Sequence, residues 1–329
     1  MTQKRKILVT GGAGYIGSHM VLALLDAGHE AVILDNFSTG HEQLVPAGVT
    51  VVRGDVGDRQ VTDALFAAHD FDAVVHFAAS IVVPESVADP LKYYINNTLN
   101  TAHLIAACVK AGVRRFIFSS TAAVYGEHAQ EPIDESALPV PENPYGASKL
   151  MSETILRDTA KAHDLSYVVL RYFNVAGADP AGRSGQLSKP ATHLIKVAGE
   201  LACGKRDAMQ IFGTDYDTPD GTCIRDYIHI SDLIGAHMVA LDHLMDGGAP
   251  VIANCGYGTG NSVRDVLASV ARVSGSNLNV TEAPRRPGDA VYLVADSSLL
   301  KHTLGWVPKY DDLDVIVKSA IDWERRFPD

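Results

Sequence analysis

The run Thr10-Gly11-Gly12-Ala13-Gly14-Tyr15-Ile16-Gly17 constrains this chain most, because it follows a β-branched strand, Lys6–Thr10, and opens a helix. Glycine permits the tight turn and lets the backbone approach phosphates, whose charge then faces the helix N-terminus. Gly11, Gly14 and Gly17, with Tyr15 and Ile16, are thus candidate pyrophosphate contacts. An ordinary strand-to-helix turn needs no acidic residue at the end of the next strand. Asp35 stands there, eighteen residues past Gly17. A carboxylate in that place accepts bonds from the adenosine ribose and repels a 2′-phosphate, which favours NAD over NADP. The alternative is a solvated aspartate capping a turn with Asn36. Asp55 follows the third strand in the same way, and spacing alone leaves open whether it faces the adenine.

Short apolar runs alternate with amphipathic ones through the first 175 residues, the pattern of a parallel sheet covered by helices on both faces. Strands are expected at Lys6–Thr10, Glu30–Asp35, Thr50–Arg53, Ala73–Phe77, Phe116–Ser119 and Tyr167–Arg171, with helices at Ile16–Ala27, Pro90–Ala111 and Pro144–His163. Gly-, Pro- and Asp-rich stretches at Gly177–Lys189, Gly213–Gly221 and Ala283–Asp289 read as a smaller, loop-bearing lobe. A helix, Ser231–Leu244, and a strand, Val251–Asn254, interrupt that lobe, and the strand is placed to rejoin the first sheet. At 329 residues the chain exceeds one ordinary compact domain. The reading is α/β: a Rossmann-type doubly wound parallel sheet over residues 1–176, joined by 229–256, and a smaller C-terminal lobe over 177–329.

Apolar residues at 47% and charged residues at 20% exclude a disordered chain. The net charge of −11, with no basic run longer than Lys4-Arg5-Lys6, argues against nucleic acid. Cys108, Cys203, Cys223 and Cys255 show neither metal-ligand spacing nor a disulfide framework, and the thirteen histidines suggest no metal. No apolar run is long enough for a bilayer, and the basic start leads into a strand, so a cytoplasmic protein is expected.

Two further motifs carry chemistry. In Tyr145-Gly146-Ala147-Ser148-Lys149, on a helix started by Pro144, the lysine lies one turn above the tyrosine, so its ammonium can sit beneath the phenol. For a phenol of pKa near 10 to act as a base at neutral pH, its pKa must fall by about 3 units, or about 4 kcal/mol. The ammonium and an oxidised nicotinamide both favour that shift. Taken alone the pair also fits a surface accident; its weight comes from sharing a chain with the phosphate turn. Ser119-Ser120-Thr121 stands where a central strand runs into a loop, the end at which doubly wound sheets bind ligands. The hydroxyls of Ser120 and Thr121 are expected to point into the site, or else to cap the loop.

Together the glycine turn, the hydroxyl-bearing strand end and the Tyr-x-x-x-Lys pair resemble the extended short-chain dehydrogenase/reductase family, and within it the epimerases of UDP-sugars. Similar stretches run almost end to end: Thr10–His19, His76–Ala79, Tyr93–Asn97, Thr121–Gly126, Asn143–Leu150, Leu170–Asn174, Thr192–Ile195, Phe212–Asp232 and Pro284–Asp289. Most specific is Asp215-Tyr216, Asp220-Gly221-Thr222 and Arg225-Asp226-Tyr227-Ile228-His229.

The resemblance implies an NAD-dependent 4-epimerase that interconverts UDP-glucose and UDP-galactose through a transient 4-keto sugar, or one acting on UDP-N-acetylhexosamines or UDP-pentoses. It makes Tyr145 the base, Lys149 its electrostatic partner and Thr121 the bridging hydroxyl. NAD contacts would be Gly11, Gly14, Tyr15, Ile16, Gly17, Asp35, Asn36, Asp55, Val56, Phe77, Ala78, Ala79, Asn96, Tyr145, Lys149 and Phe173. The sugar nucleotide would meet Thr121, Tyr145, Asn174, His193, Leu194, Ile211, Phe212, Arg225, Arg286, Asp289 and Leu293. Relatives are commonly homodimers, and a homodimer is adopted by analogy. Three positions depart from the pattern. Ile81 replaces a lysine found near the cofactor in some relatives, and His193 replaces an asparagine. Leu293 stands where a tyrosine restricts relatives to unacetylated sugars. Sugar-nucleotide dehydratases of the same superfamily place an acidic pair after the hydroxyl residue, where this chain has Ala122 and Ala123.

Overall fold

The computed structural model describes residues 3–127, 132–187, 191–286 and 290–327. Its strands are β1 (Lys6–Thr10), β2 (Glu30–Asp35), β3 (Thr50–Arg53), β4 (Ala73–His76), β5 (Arg115–Thr121), β6 (Ser166–Tyr172), β7 (Asn174–Ala176), β8 (Met209–Phe212), β9 (Ile224–His229), β10 (Val251–Cys255), β11 (Gly260–Ser262), β12 (Val280–Ala283) and β13 (Tyr292–Leu293). Contacts divide the chain into two units. One comprises Met1–Tyr125, Pro139–Arg171 and Ala236–Ala253; the other comprises Gly126–Leu138, Tyr172–Gly235 and Asn254–Asp329. Gly126–Leu138 groups with the second unit, where the Ile133 N–H donates to the Val294 carbonyl at 2.9 Å.

A seven-stranded sheet runs β10-β6-β5-β4-β1-β2-β3, so the strand expected to rejoin it does so beside β6. Pairing is parallel from β5 through β4, β1 and β2 to β3. Ile7, Leu8 and Val9 of β1 and Val74 and Val75 of β4 are fully buried, as continuous apolar runs in a two-sided sheet require. Strand order reverses at β1, which has β2 on one side and β4 on the other. That is the point at which such sheets open a ligand crevice beyond the strand ends.

The region expected as one helix over Pro90–Ala111 is instead Pro90–Tyr93, a π-helical turn at Tyr94–Leu99, and Asn100–Ala111 ending on the left-handed Gly112. A π-helical turn inserts one residue into the helix, and an apolar pattern read at helical spacing carries no separate signal for it. The helix Pro144–Ala162 starts as expected. Asn143 caps it by accepting the Gly146 N–H at 2.9 Å, and Pro144 occupies a position that has no use for an N–H.

In the second unit β9 pairs with β11, β13 and β7, while β8 and β12 form a separate parallel pair. The helices Leu194–Ala202, Val263–Ser274 and Leu313–Arg326 share a core of Ile195, Ala198, Val266, Val270, Val317 and Ile321 with Ile211 and Tyr227. Among the described residues no helix is long and apolar enough to cross a membrane.

Candidate active site

Gly11, Gly14 and Gly17 of the first turn stand in different surroundings. Gly11 adopts φ +69°, and a Cβ there would lie 2.8 Å from the Ala78 nitrogen, so the loops after β1 and β4 approach through bare backbone. A Cβ on Gly17 would fall 2.1 Å from the Gly11 carbonyl oxygen. Gly14 precedes the helix Tyr15–Asp26, and a Cβ there would meet only that same oxygen, at 3.2 Å. Apart from that one close contact nothing crowds Gly14, and the first amides of the helix follow it. This geometry fits a dinucleotide pyrophosphate.

Asp35 is buried, not solvated. Its carboxylate accepts the Ala13 N–H at 2.9 Å and the Phe37 N–H at 2.8 Å, so it braces the glycine turn. Asn36 donates to Asp55 at 2.8 Å, and Asp55 also accepts the Gly57 N–H and the Asn100 amide. The Arg53 guanidinium lies 4.0 Å from the centre of the Phe37 ring. These residues, with buried Val56, gather beyond β2 and β3. Phe77, Ala78 and Ala79 follow β4, and Asn96 in the π-helical turn donates to the Ser80 hydroxyl at 3.0 Å. Ile81, at the departure from the family pattern, is 50% exposed.

Thr121, Tyr145 and Lys149 come together in the first unit and all are buried. The phenol hydrogen-bonds with Thr121, which itself accepts the Ala123 N–H at 3.1 Å. Burial pushes the Tyr145 phenol above its ordinary value, and the bond with Thr121 partly offsets this. Burial likewise pushes the Lys149 ammonium down to about 7, with Glu153 opposing the fall. The Lys149 ammonium also has partners that helix spacing alone does not show. It donates to the Ser119 carbonyl at 2.9 Å and stands 4.9 Å from the centre of the Phe118 ring. Without a cofactor the pair is therefore poised toward its neutral forms.

The expectation that both Ser120 and Thr121 face the site is corrected. β5 continues to Thr121, two residues beyond the expected end, and alternation turns neighbouring side chains to opposite faces. Ser120 donates to Glu153 at 2.5 Å inside the core, while Ser119 lies 3.0 Å from His237.

Several residues that hold the site were not anticipated. The Asn97 carboxamide accepts the Ser80 N–H at 2.8 Å, donates to the Ser80 carbonyl at 2.9 Å and reaches the Ser148 hydroxyl at 3.0 Å, tying the loop after β4 to the tyrosine helix. His76 bridges Thr10 at 2.6 Å and Thr101 at 2.9 Å, and burial together with nearby Lys149 pushes its pKa down to about 3. Glu153 pairs with Arg171, which also donates to the Tyr125 hydroxyl at 3.0 Å. Glu153 at least had a signal, since it repeats the Tyr145–Lys149 spacing once more along the helix face.

In the second unit the Arg286 guanidinium lies 4.6 Å from the centre of the Phe212 ring, and Ile211 precedes it on β8. Arg225 is in register with Leu293 across β9 and β13, and its guanidinium donates to the Ile224 and Ala290 carbonyls at 2.8 and 2.7 Å. Asn174 pairs with Tyr227. His193 and Leu194 stand at the start of a helix, with the His193 ring 2.9 Å from the Gln186 amide. Phe173 is buried and donates its N–H to the Cys255 carbonyl at 3.3 Å. Asp289 lies outside the described residues.

A model of the NAD dependent epimerase/dehydratase family matches residues 7–256. UDP-glucose 4-epimerase of Azospirillum brasilense is 58% identical over 320 residues, covering 97% of this chain and 92% of the relative. Among solved structures, the UDP-Glc/GlcNAc 4-epimerase of Campylobacter jejuni is 50% identical at a TM-score of 0.85, covering 98% of this chain and 100% of the other. UDP-glucose 4-epimerase of Bifidobacterium longum in complex with NAD+ and UDP is 37% identical at a TM-score of 0.93, covering 98% of each chain.

Proposed function

The chain belongs to the NAD dependent epimerase/dehydratase family, and from that premise we propose that it interconverts UDP-glucose and UDP-galactose, inverting C4 through a transient 4-keto sugar. The observation that carries this reading is the buried Thr121–Tyr145–Lys149 cluster at the end of β5. Tyr145 takes the proton of the 4-hydroxyl, directly or through Thr121, and returns it on the way back. NAD, when bound, supplies reversible oxidation at C4 and is regenerated within the turnover.

Gly11, Gly14, Tyr15, Ile16, Gly17, Asp35, Asn36, Asp55, Val56, Phe77, Ala78, Ala79, Asn96 and Phe173 hold NAD, with Tyr145 and Lys149 beside it. The nucleotide sugar is assigned to Asn174, His193, Leu194, Ile211, Phe212, Arg225, Arg286, Asp289 and Leu293. Guanidinium donors match diphosphate oxygens in pairs, which suits Arg225 and Arg286. A firm hold on the nucleotide leaves the hexose free to present its other face. Ala122 and Ala123 offer no acid or base for expelling a 6-hydroxyl, which disfavours dehydration.

Incubating the purified protein with UDP-galactose should yield UDP-glucose. A 4-keto-6-deoxy product would move the protein to the dehydratases, and absence of turnover would leave a non-catalytic NAD-binding protein. A second reading, wider specificity, is favoured by Leu293, which is smaller than tyrosine beside Arg225. Leu293→Tyr is expected to lower turnover of UDP-N-acetylglucosamine at least tenfold while UDP-galactose changes by less than threefold. Equal losses in parallel assays of the two sugars would remove Leu293 as a size gate.

A cytoplasmic homodimer completes the proposal. All four cysteines are free thiols, as a reducing compartment maintains them. Leu91, Ile95 and Leu99 are 70%, 55% and 48% exposed at four-residue spacing, and Val87 and Met151 are exposed as well. Such an apolar stripe needs a partner in water. Sedimentation should find the wild type dimeric and Leu91→Arg/Ile95→Arg monomeric; a dimeric variant would place the interface elsewhere.

A further inference from the structure

We infer that Glu153 is a positioning residue for the proton-transfer pair: a fixed carboxylate one helical turn past Lys149 whose charge favours the ammonium and which, through Ser120, holds the strand end bearing Ser119 and Thr121. This rests on the reading of Tyr145 as the base.

Tyr145, Lys149 and Glu153 recur every four residues on one face of the helix Pro144–Ala162, and Lys149 and Glu153 are each 3% exposed. Glu153 is held on both oxygens. Oε1 accepts from the Ser120 hydroxyl at 2.5 Å and from Arg171 Nε at 3.1 Å, and Oε2 accepts from Arg171 Nη2 at 2.6 Å. Arg171 is anchored in turn on Tyr125. An ion pair this deeply buried adds little stability over a well-packed apolar pair, so stability alone does not account for it.

The surroundings of Lys149 leave Glu153 as the counter-charge. β4 contributes His76, which burial keeps neutral, and β5 contributes the Phe118 ring and the Ser119 carbonyl. Tyr145 is a neutral phenol until it ionises, and Arg171 on β6 is already engaged by Glu153. Burial drives the ammonium toward its neutral form, and Glu153 is the group that opposes this. The other link is mechanical: Ser120 fixes the strand whose next residue bonds Tyr145 and whose preceding carbonyl receives Lys149.

With Glu153 neutralised, Lys149 loses its proton at lower pH, and the Tyr145 phenol then ionises only at higher pH. The direct readout is ultraviolet difference titration of the Tyr145 phenolate in NAD-loaded protein, each form referenced to its own Tyr145→Phe counterpart. Glu153→Gln should raise the midpoint by about one pH unit or more. The acid limb of the UDP-galactose rate profile should move with it, giving a loss of about tenfold at pH 7 that narrows as pH rises. Because Glu153→Gln leaves Arg171 unpaired, Glu153→Gln/Arg171→Met serves as a second form with neither charge, and the same displacement is expected. An unmoved midpoint in whichever form folds, with activity lowered equally at every pH, would reduce Glu153 to a packing role and overturn the inference. A wild type that shows no epimerisation while the phenolate midpoint still moves would instead overturn the assigned reaction and leave the coupling between Glu153 and Tyr145 standing.

Discussion

Tyr145→Phe is expected to lower kcat for UDP-galactose by about three orders of magnitude, the range for removing a proton-transfer group, while NAD stays bound. The substitution takes away one oxygen. The ring keeps its edge-to-face packing on Tyr93 at 6.4 Å, and Thr121 keeps the Ala123 N–H. Folding should be nearly unchanged, because a buried phenol with one side-chain partner gives up little when that partner retains another bond. Initial rates on UDP-galactose, together with NAD released by heating and measured per protomer, separate chemistry from binding. Activity within tenfold of wild type would remove Tyr145 as the base. The sign of the pH dependence follows from the same burial. The phenol is raised, so the base form grows as pH rises, and the acid limb of the wild-type profile should climb toward alkaline pH, moved back toward neutrality only as far as bound NAD+ favours the phenolate. Thr121→Val removes the bond that holds the phenol down and should displace that limb further toward alkaline pH.

The sheet was legible because its strands are buried on both faces and read as continuous apolar runs, as at Ile7–Val9 and Val74–Val75. The phosphate turn was legible because glycine spacing there reflects backbone collisions, which any sequence must obey. What escaped reading has equally physical causes. Ser120 was assigned to the site because the end of β5 was placed two residues early, and alternation makes the choice between Ser120 and Thr121 depend on where the strand ends. Helix spacing relates Lys149 to Tyr145 but takes no account of the Ser119 carbonyl, on a strand thirty residues earlier, to which the ammonium donates. Asn97 works from a π-helical turn, for which an apolar pattern read at helical spacing carries no separate signal. In the second unit, pairs such as Phe212 with Arg286 are separated by long stretches of chain, and no local pattern joins them; only the family resemblance singled them out.

The glycine turn supports the second large prediction, which distinguishes the shape of the turn from the approach of the cofactor. Gly17→Ala is expected to weaken NAD binding by about a hundredfold or more, or about 2.7 kcal/mol. Its Cβ would stand 2.1 Å from the Gly11 carbonyl oxygen, a distance that only backbone movement can relieve. Gly11 cannot yield readily, since it sits at φ +69° against Ala78 and donates its N–H to the Leu34 carbonyl at 2.9 Å. The helix must therefore withdraw, and thermal stability should fall along with NAD content. Gly14→Ala is the contrasting case. Its Cβ meets that oxygen at 3.2 Å and nothing else nearby, so the protein without nucleotide should melt within a few degrees of wild type. Loss of NAD from Gly14→Ala with its fold intact would show that the cofactor backbone lies directly over that residue. Full NAD retention by both variants, measured by calorimetric titration, would mean that the dinucleotide does not rest on this turn, and the assignment of the first unit to NAD would fail with it.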